Sequence, residues 1–143
     1  KEKGFQAKHI VITGGEPCMV DLTPLCEAFE QFDYTTQVET SGTFEVNVSK
    51  KCWVTVSPKI NMRGGYAILQ SAIQRADEIK HPIATVQHVD DLKALLAEHR
   101  ISNTPIYLQP ISQKTRATQL AIDTCIANNW RLSVQVHKYL GIE

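Results

Sequence analysis

Short β-branched runs alternate with apolar stripes at helical spacing along most of the chain. His9-Ile10-Val11-Ile12-Thr13 halts at Gly14-Gly15, which predicts a strand running into a turn. Beyond Asp21, the residues Leu22, Leu25, Cys26 and Phe29 recur at helical spacing. Pro24 is tolerable in a first turn, so a helix of about three turns is expected there. Segments 35–40 and 53–57 are rich in Val and Thr and stop at Ser41-Gly42 and at Pro58, each predicting a further strand. Over 66–79, Ile68, Leu69, Ala72, Ile73 and Ala76 form an apolar stripe at the 3.6 period, which predicts a second helix. A strand over 83–86 follows, then a third helix on Val89, Leu92, Leu95 and Leu96 with Asp90, Asp91 and Lys93 on its polar face. Ile106-Tyr107-Leu108 predicts a strand ending at Gln109-Pro110, Leu120, Ala121, Cys125 and Ile126 a fourth helix, and 132–136 a last strand.

Six strands and four helices in near alternation predict an α/β fold with a mostly parallel sheet, open or curled into a partial (β/α) barrel. A closed barrel needs eight strands, which 143 residues do not accommodate. No repeat, low-complexity tract or linker divides the chain, so 1–143 reads as a single domain. In such a sheet every strand ends on one rim, where open α/β sheets hold their ligands.

Charge narrows the partners. Fifteen acids balance fifteen bases, which leaves no basic field for a nucleic-acid backbone. No apolar run approaches the roughly 20 residues of a bilayer span, and Lys1-Glu2-Lys3-Gly4 lacks a signal-peptide core, so a cytoplasmic location is expected. The chain starts without methionine on the approach to a strand, which suggests that the true beginning lies upstream. Cys18, Cys26, Cys52 and Cys125 are 8, 26 and 73 positions apart, a spacing that fits neither zinc nor redox pairs and reads as buried thiols. His9, His81, His88 and His99 fall in no metal-ligand spacing and read as incidental.

The chemistry gathers at strand ends. In Thr13-Gly14-Gly15-Glu16-Pro17, two glycines clear side chains from the main chain just where strand carbonyls lose their ladder partners. Those carbonyls and the Glu16 carboxylate would make an acceptor-only site suited to an ammonium group; a tight strand-to-helix turn is the plainer reading. There is no Gly-Lys-Ser/Thr for a P-loop and no third glycine at dinucleotide-fold spacing.

The Gly-Gly-Glu-Pro run resembles the motif with which radical-SAM enzymes bind the methionyl ammonium of S-adenosylmethionine (SAM). Several further blocks resemble the 7-carboxy-7-deazaguanine synthase family: Glu39-Thr40-Ser41-Gly42-Thr43, Val56-Ser57-Pro58-Lys59 with Asn61-Met62-Arg63-Gly64-Gly65, Gln109-Pro110-Ile111-Ser112, Asn129-Trp130-Arg131-Leu132-Ser133 and His137-Lys138-Tyr139-Leu140. The resemblance runs over about residues 8–143. It implies a radical-SAM carbon–nitrogen lyase on the route to queuosine, a modified tRNA base. That enzyme converts 6-carboxy-5,6,7,8-tetrahydropterin to 7-carboxy-7-deazaguanine with loss of ammonia, through a 5′-deoxyadenosyl radical. A [4Fe-4S] cluster, SAM and Mg²⁺ would be its cofactors, the pterin its small-molecule substrate, and a homodimer its possible assembly.

By the same resemblance Gly14, Gly15 and Glu16 contact SAM, Ser57, Pro58 and Lys59 line its pocket, Gln109, Pro110, Ile111 and Ser112 close over its adenosyl part, and Thr13 meets the pterin. The residue types suit those roles. Lys59 can face a carboxylate, or be an ordinary solvated lysine. Gln109 before Pro110 leaves carbonyls free for an adenine amino group, or simply ends a strand. Glu39, with Ser41 beside it, could take a SAM or pterin N–H, or pair with a nearby Arg or Lys. His137 and the terminal Glu143 are candidate substrate contacts; a surface histidine and a frayed end are their alternatives. Arg63-Gly64-Gly65 resembles an anion-binding loop or a capping turn.

A cluster needs three neighbouring thiolates, and no such loop occurs in this sequence; in the family it precedes the Gly-Gly-Glu-Pro strand by dozens of residues. The expectation is therefore a SAM-binding, carboxyl-terminal portion with no catalytic or metal-binding residue of its own, inactive alone. Another radical-SAM enzyme such as a glycyl-radical activase, or a non-enzymatic interaction module, are the alternatives.

Overall fold

The computed structural model of the protein describes residues 4, 6–61, 66–111 and 114–141. Six strands form one sheet: β1 (His9–Ile12), β2 (Thr35–Thr40), β3 (Trp53–Val56), β4 (Glu78–Ile83), β5 (Ile106–Pro110) and β6 (Arg131–Leu132). They lie side by side in chain order and every pair is parallel. The helices are α1 (Thr23–Glu30), α2 (Gln70–Arg75), α3 (Val86–Glu98), α4 (Thr115–Asn128) and α5 (Val136–Leu140), with a 3₁₀ turn at Pro17–Met19. Crossovers of one hand that always step the same way put their helices on one face of the sheet. The result is an α/β sheet laid out as an open, partial barrel, as the alternation predicts.

The two faces differ in character. Val38, Val54, Val56, Ile79, Ile83, Ile106 and Leu108 point toward the helices and pack with Leu92, Ile73, Ala121 and Cys26 into the core. The alternate residues Gln37, Glu39, Thr55, Glu78, Lys80, Tyr107 and Gln109 share the other face, as the registers Glu39↔Thr55, Thr55↔Glu78, Lys80↔Tyr107 and Pro82↔Gln109 require. Parallel sheets usually bury two apolar faces. Here the second face is polar, the character of a barrel's ligand-bearing interior.

Several expectations about elements are corrected. The helix expected over 66–79 is only α2, Gln70–Arg75, and Glu78–Ile83 is β4. Ala76 turns extended because the next residue is tied to β3: Asp77 Oδ2 accepts the Val54 amide at 2.8 Å and Arg75 Nη1 at 2.9 Å, while Arg75 Nη2 donates to the Cys52 carbonyl at 2.7 Å. The strand expected over 83–86 therefore lies earlier and runs through Pro82, and α3 begins at Val86. The last strand, expected over 132–136, is only Arg131–Leu132, and a turn in which the Val136 amide donates to the Val134 carbonyl leads into α5. There are thus five α-helices among the described residues, and α1 is eight residues long, shorter than expected.

All four cysteines are free and buried. Among the described residues no helix is long and apolar enough to cross a membrane.

Candidate ligand site at the carboxyl ends of the strands

Gly14 and Gly15, just past β1, both adopt positive φ, 92° and 57°. A Cβ at either would meet nothing within 4 Å, so this main chain is open on the rim. Thr13 is exposed beside them. The turn is held from behind by Glu16. Its Oε1 accepts the Cys18 amide at 3.0 Å and the Thr40 hydroxyl at 2.6 Å, and its Oε2 accepts the Ser41 amide at 2.8 Å and the Ser41 hydroxyl. Burial opposes ionisation of Glu16, but the bonds from Ser41, Thr40 and Cys18 outweigh it and hold its pKa below the ordinary carboxylate value. Four donors on two oxygens leave this carboxylate little capacity for a ligand. Glu16 and Ser41 thus bolt the end of β1 to the end of β2, and the main chain at Gly14 and Gly15 stays uncovered.

Five of the expected site residues converge elsewhere on the rim. Glu39, Ser57, Lys59, Gln109 and His137 line one cavity of about 490 Å³, together with Lys80, Pro82 and residues 133–136. Glu39 and Gln109 come from the polar face of β2 and β5, Ser57 and Lys59 from the segment after β3, and His137 from α5 rather than from a strand end. The Ser57 amide donates to the Thr40 carbonyl at 2.7 Å and the Ile111 amide to the Ile83 carbonyl at 2.8 Å, so ladder bonds fix both segments just beyond the sheet. Pro58 is fully buried and Pro110 lies on the helix face; both shape the main chain from beneath instead of lining the cavity. Ile111 is exposed at the rim. Ser112, Glu143 and Arg63-Gly64-Gly65 lie outside the described residues.

Lys80 went unnoticed in the sequence. Its Nζ lies 2.5 Å from Glu39 Oε1, so Glu39 takes a lysine partner within the cavity wall. The signal was the alternation of Glu78, Lys80 and Pro82 against the buried Ile79, His81 and Ile83. Residues 133–136 were expected in a last strand and, apart from Ser133 in a family-resembling block, carried no sign of a place in the cavity wall. His81, read as incidental, is a core residue of the helix face, 6% exposed, with Nδ1 unpartnered. Burial above all, with His88 adding to it, pushes its pKa down to about 4.

Two larger clefts of about 570 and 590 Å³ flank the 101–105 loop at the opposite, amino-terminal ends of the strands. They contain none of the residues discussed above as ligand contacts. Among the described residues no three His, Cys, Asp or Glu side chains gather to hold a metal ion.

No family model matches the chain. Among curated proteins it is 56% identical over 142 residues to the 7-carboxy-7-deazaguanine synthase of Escherichia coli strain K12, covering 98% of this chain and 63% of that protein. It is 32% identical over 165 residues to the 7-carboxy-7-deazaguanine synthase of Prochlorococcus marinus, covering 95% of this chain and 68% of the relative. The chain belongs to the 7-carboxy-7-deazaguanine synthase family. A solved structure, the crystal structure of QueE from Escherichia coli, superposes with a TM-score of 0.88 at 55% identity, over 93% of this chain and 59% of that one. Membership thus rests on sequence and on a shared fold, and the chain spans about 63% of the length of the Escherichia coli relative.

Proposed function

We propose that this chain is the SAM-binding portion of a 7-carboxy-7-deazaguanine synthase, the radical-SAM lyase that converts 6-carboxy-5,6,7,8-tetrahydropterin to 7-carboxy-7-deazaguanine with loss of ammonia. The observation that carries the reading is the convergence of Glu39, Ser57, Lys59 and Gln109 on one rim cavity, in a chain 56% identical to a protein of that name.

The residues present suit SAM. Open carbonyls beside Gly14 and Gly15 accept its ammonium, the Lys59 ammonium faces its carboxylate, the Ser57 hydroxyl adds a short donor, and Gln109 offers an amide to its adenosyl part. Thr13, just past β1, and His137, in the cavity wall, are the contacts we assign to the pterin. When bound together, SAM and an iron–sulfur cluster supply the radical that starts the reaction. The cysteines here do not suit that cluster. They are buried in the core, where burial raises the pKa of Cys18 and Cys125 and pushes that of Cys52 to about 11, whereas a cluster takes neighbouring thiolates. The chain's own work is to bind, orient and seclude.

Equilibrium dialysis of SAM against the full chain, paired with a turnover assay on the pterin, tests this reading. Binding is expected in wild type, a loss of about tenfold in Lys59→Ala, and no conversion of the pterin. Absence of SAM binding overturns the reading; turnover by this chain alone overturns the division of labour.

A further inference from the structure

Glu39 is the one carboxylate among the described residues that line the rim cavity. It stands on β2, and the cation that meets it stands on β4, two strands away, roughly 10 Å at ordinary strand spacing. Between them lies Thr55, the register partner of both Glu39 and Glu78, fully buried and short enough for the lysine stem to pass over.

Lys80 has a nearer choice. Glu78 is two residues earlier on the same strand and therefore on the same face. That acid is already engaged: the Thr55 hydroxyl donates to Glu78 Oε1 at 2.8 Å, and the Gln37 amide donates to Thr55 Oγ1 at 2.9 Å. His9 Nε2 joins the row at 2.9 Å from Gln37 Oε1. A hydrogen-bonded row thus crosses four strands below the cavity and keeps Glu78 supplied, and Lys80 reaches past it to Glu39.

We propose that Lys80 is a positioning residue of this site: it clamps one oxygen of Glu39 and so aims the other, the fixed anion of the cavity, at a ligand N–H or ammonium. Among the described residues Glu39 makes no second hydrogen bond, so the aimed oxygen is free for the ligand. The side chains of Lys80 and Glu39 are 21% and 30% exposed, which shields the pair from the solvent competition that makes surface pairs weak. Lys80 acts through Glu39 and need not touch the ligand. The inference rests on the proposed function, because SAM is the probe.

The test is SAM affinity of the full chain measured by equilibrium dialysis for wild type, Lys80→Met, Lys80→Arg, Glu39→Gln and the double variant Glu39→Gln/Lys80→Met. Met keeps the stem without the charge, and Arg restores the charge. Lys80→Met is expected to weaken binding about tenfold and Lys80→Arg to stay within about threefold of wild type. In the Glu39→Gln background, Lys80→Met is expected to add no further loss, because neighbours that act as one unit are not additive. Should Lys80→Met misfold, the contrast of Lys80→Arg with Lys80→Gln carries the same comparison. Wild-type binding with no loss in the charge-removing variants, or a loss that adds fully to that of Glu39→Gln, overturns the inference alone. A wild-type chain that binds no SAM overturns both it and the proposed function.

Discussion

A neutral imidazole is built into the wall behind the candidate site. His81 is buried on the helix face of β4, directly between Lys80 and Pro82 of the cavity, and its pKa is pushed down to about 4 by burial first and His88 second. In the unfolded chain a histidine takes up its proton near pH 6.5. As pH falls from there toward 4, the unfolded state binds a proton that the fold refuses, and stability drops; above 6.5 this penalty is absent. The full difference is on the order of 3 kcal/mol at 1.36 kcal/mol per pKa unit. Glu16 acts in the same direction at lower pH, since its depressed pKa contributes stability that is lost as its carboxylate protonates. Urea denaturation at pH 7.5 and pH 5 is expected to show wild type losing stability on acidification and His81→Leu losing about 1 to 2 kcal/mol less. Equal losses in the two proteins would contradict this role for His81.

At the scale of elements, the link between β2 and the start of α2 depends on Gly42. It adopts φ 78°, and a Cβ there would lie 2.9 Å from Val56 Cγ1, a core methyl on a stiff β-branched side chain. The Leu69 amide donates to its carbonyl at 2.8 Å, so the same residue positions the entry to α2. Gly42→Ala is expected to cost about 2 to 4 kcal/mol, from left-handed strain plus overpacking, read as a lowered denaturation midpoint. An unchanged midpoint would show that the Val56 side chain yields.

Legibility follows the same local physics. β1, β2 and β3 were readable because β-branched runs end at Gly14-Gly15, Ser41-Gly42 and Pro58. β4 was not, because Ile79 continues both the 3.6-residue stripe of α2 and the two-residue alternation of β4, and Pro82 argues against a strand when neighbours are unknown. That boundary hid Lys80, while His81 was set aside with His9, His88 and His99 for want of a metal-ligand spacing. Glu39, Ser57, Lys59 and Gln109 stood out through the family resemblance of their blocks and their place at or just past strand ends, where a parallel sheet holds its ligands. The saturation of Glu16 was beyond reach, since beside the Cys18 amide two positions on it takes Thr40 and Ser41, 24 and 25 positions away.

For the whole molecule, the decisive asymmetry is between its two ends. The amino-terminal ends carry the larger clefts, about 570 and 590 Å³ around the 101–105 loop, while the carboxyl ends carry the smaller cavity with Glu39, Lys59 and Lys80. A choice by size favours the first. The chemistry favours the second, where polar side chains from β2, β4 and β5 meet on the rim that also carries the open main chain of Gly14 and Gly15. Titration of ¹⁵N-labelled full chain with SAM, followed by amide NMR, separates the two directly. The expected result is shifts at Gly15, Ser57, Lys59 and Gln109 with residues 101–105 unmoved; shifts centred on 101–105, or none at saturating SAM, would contradict the account.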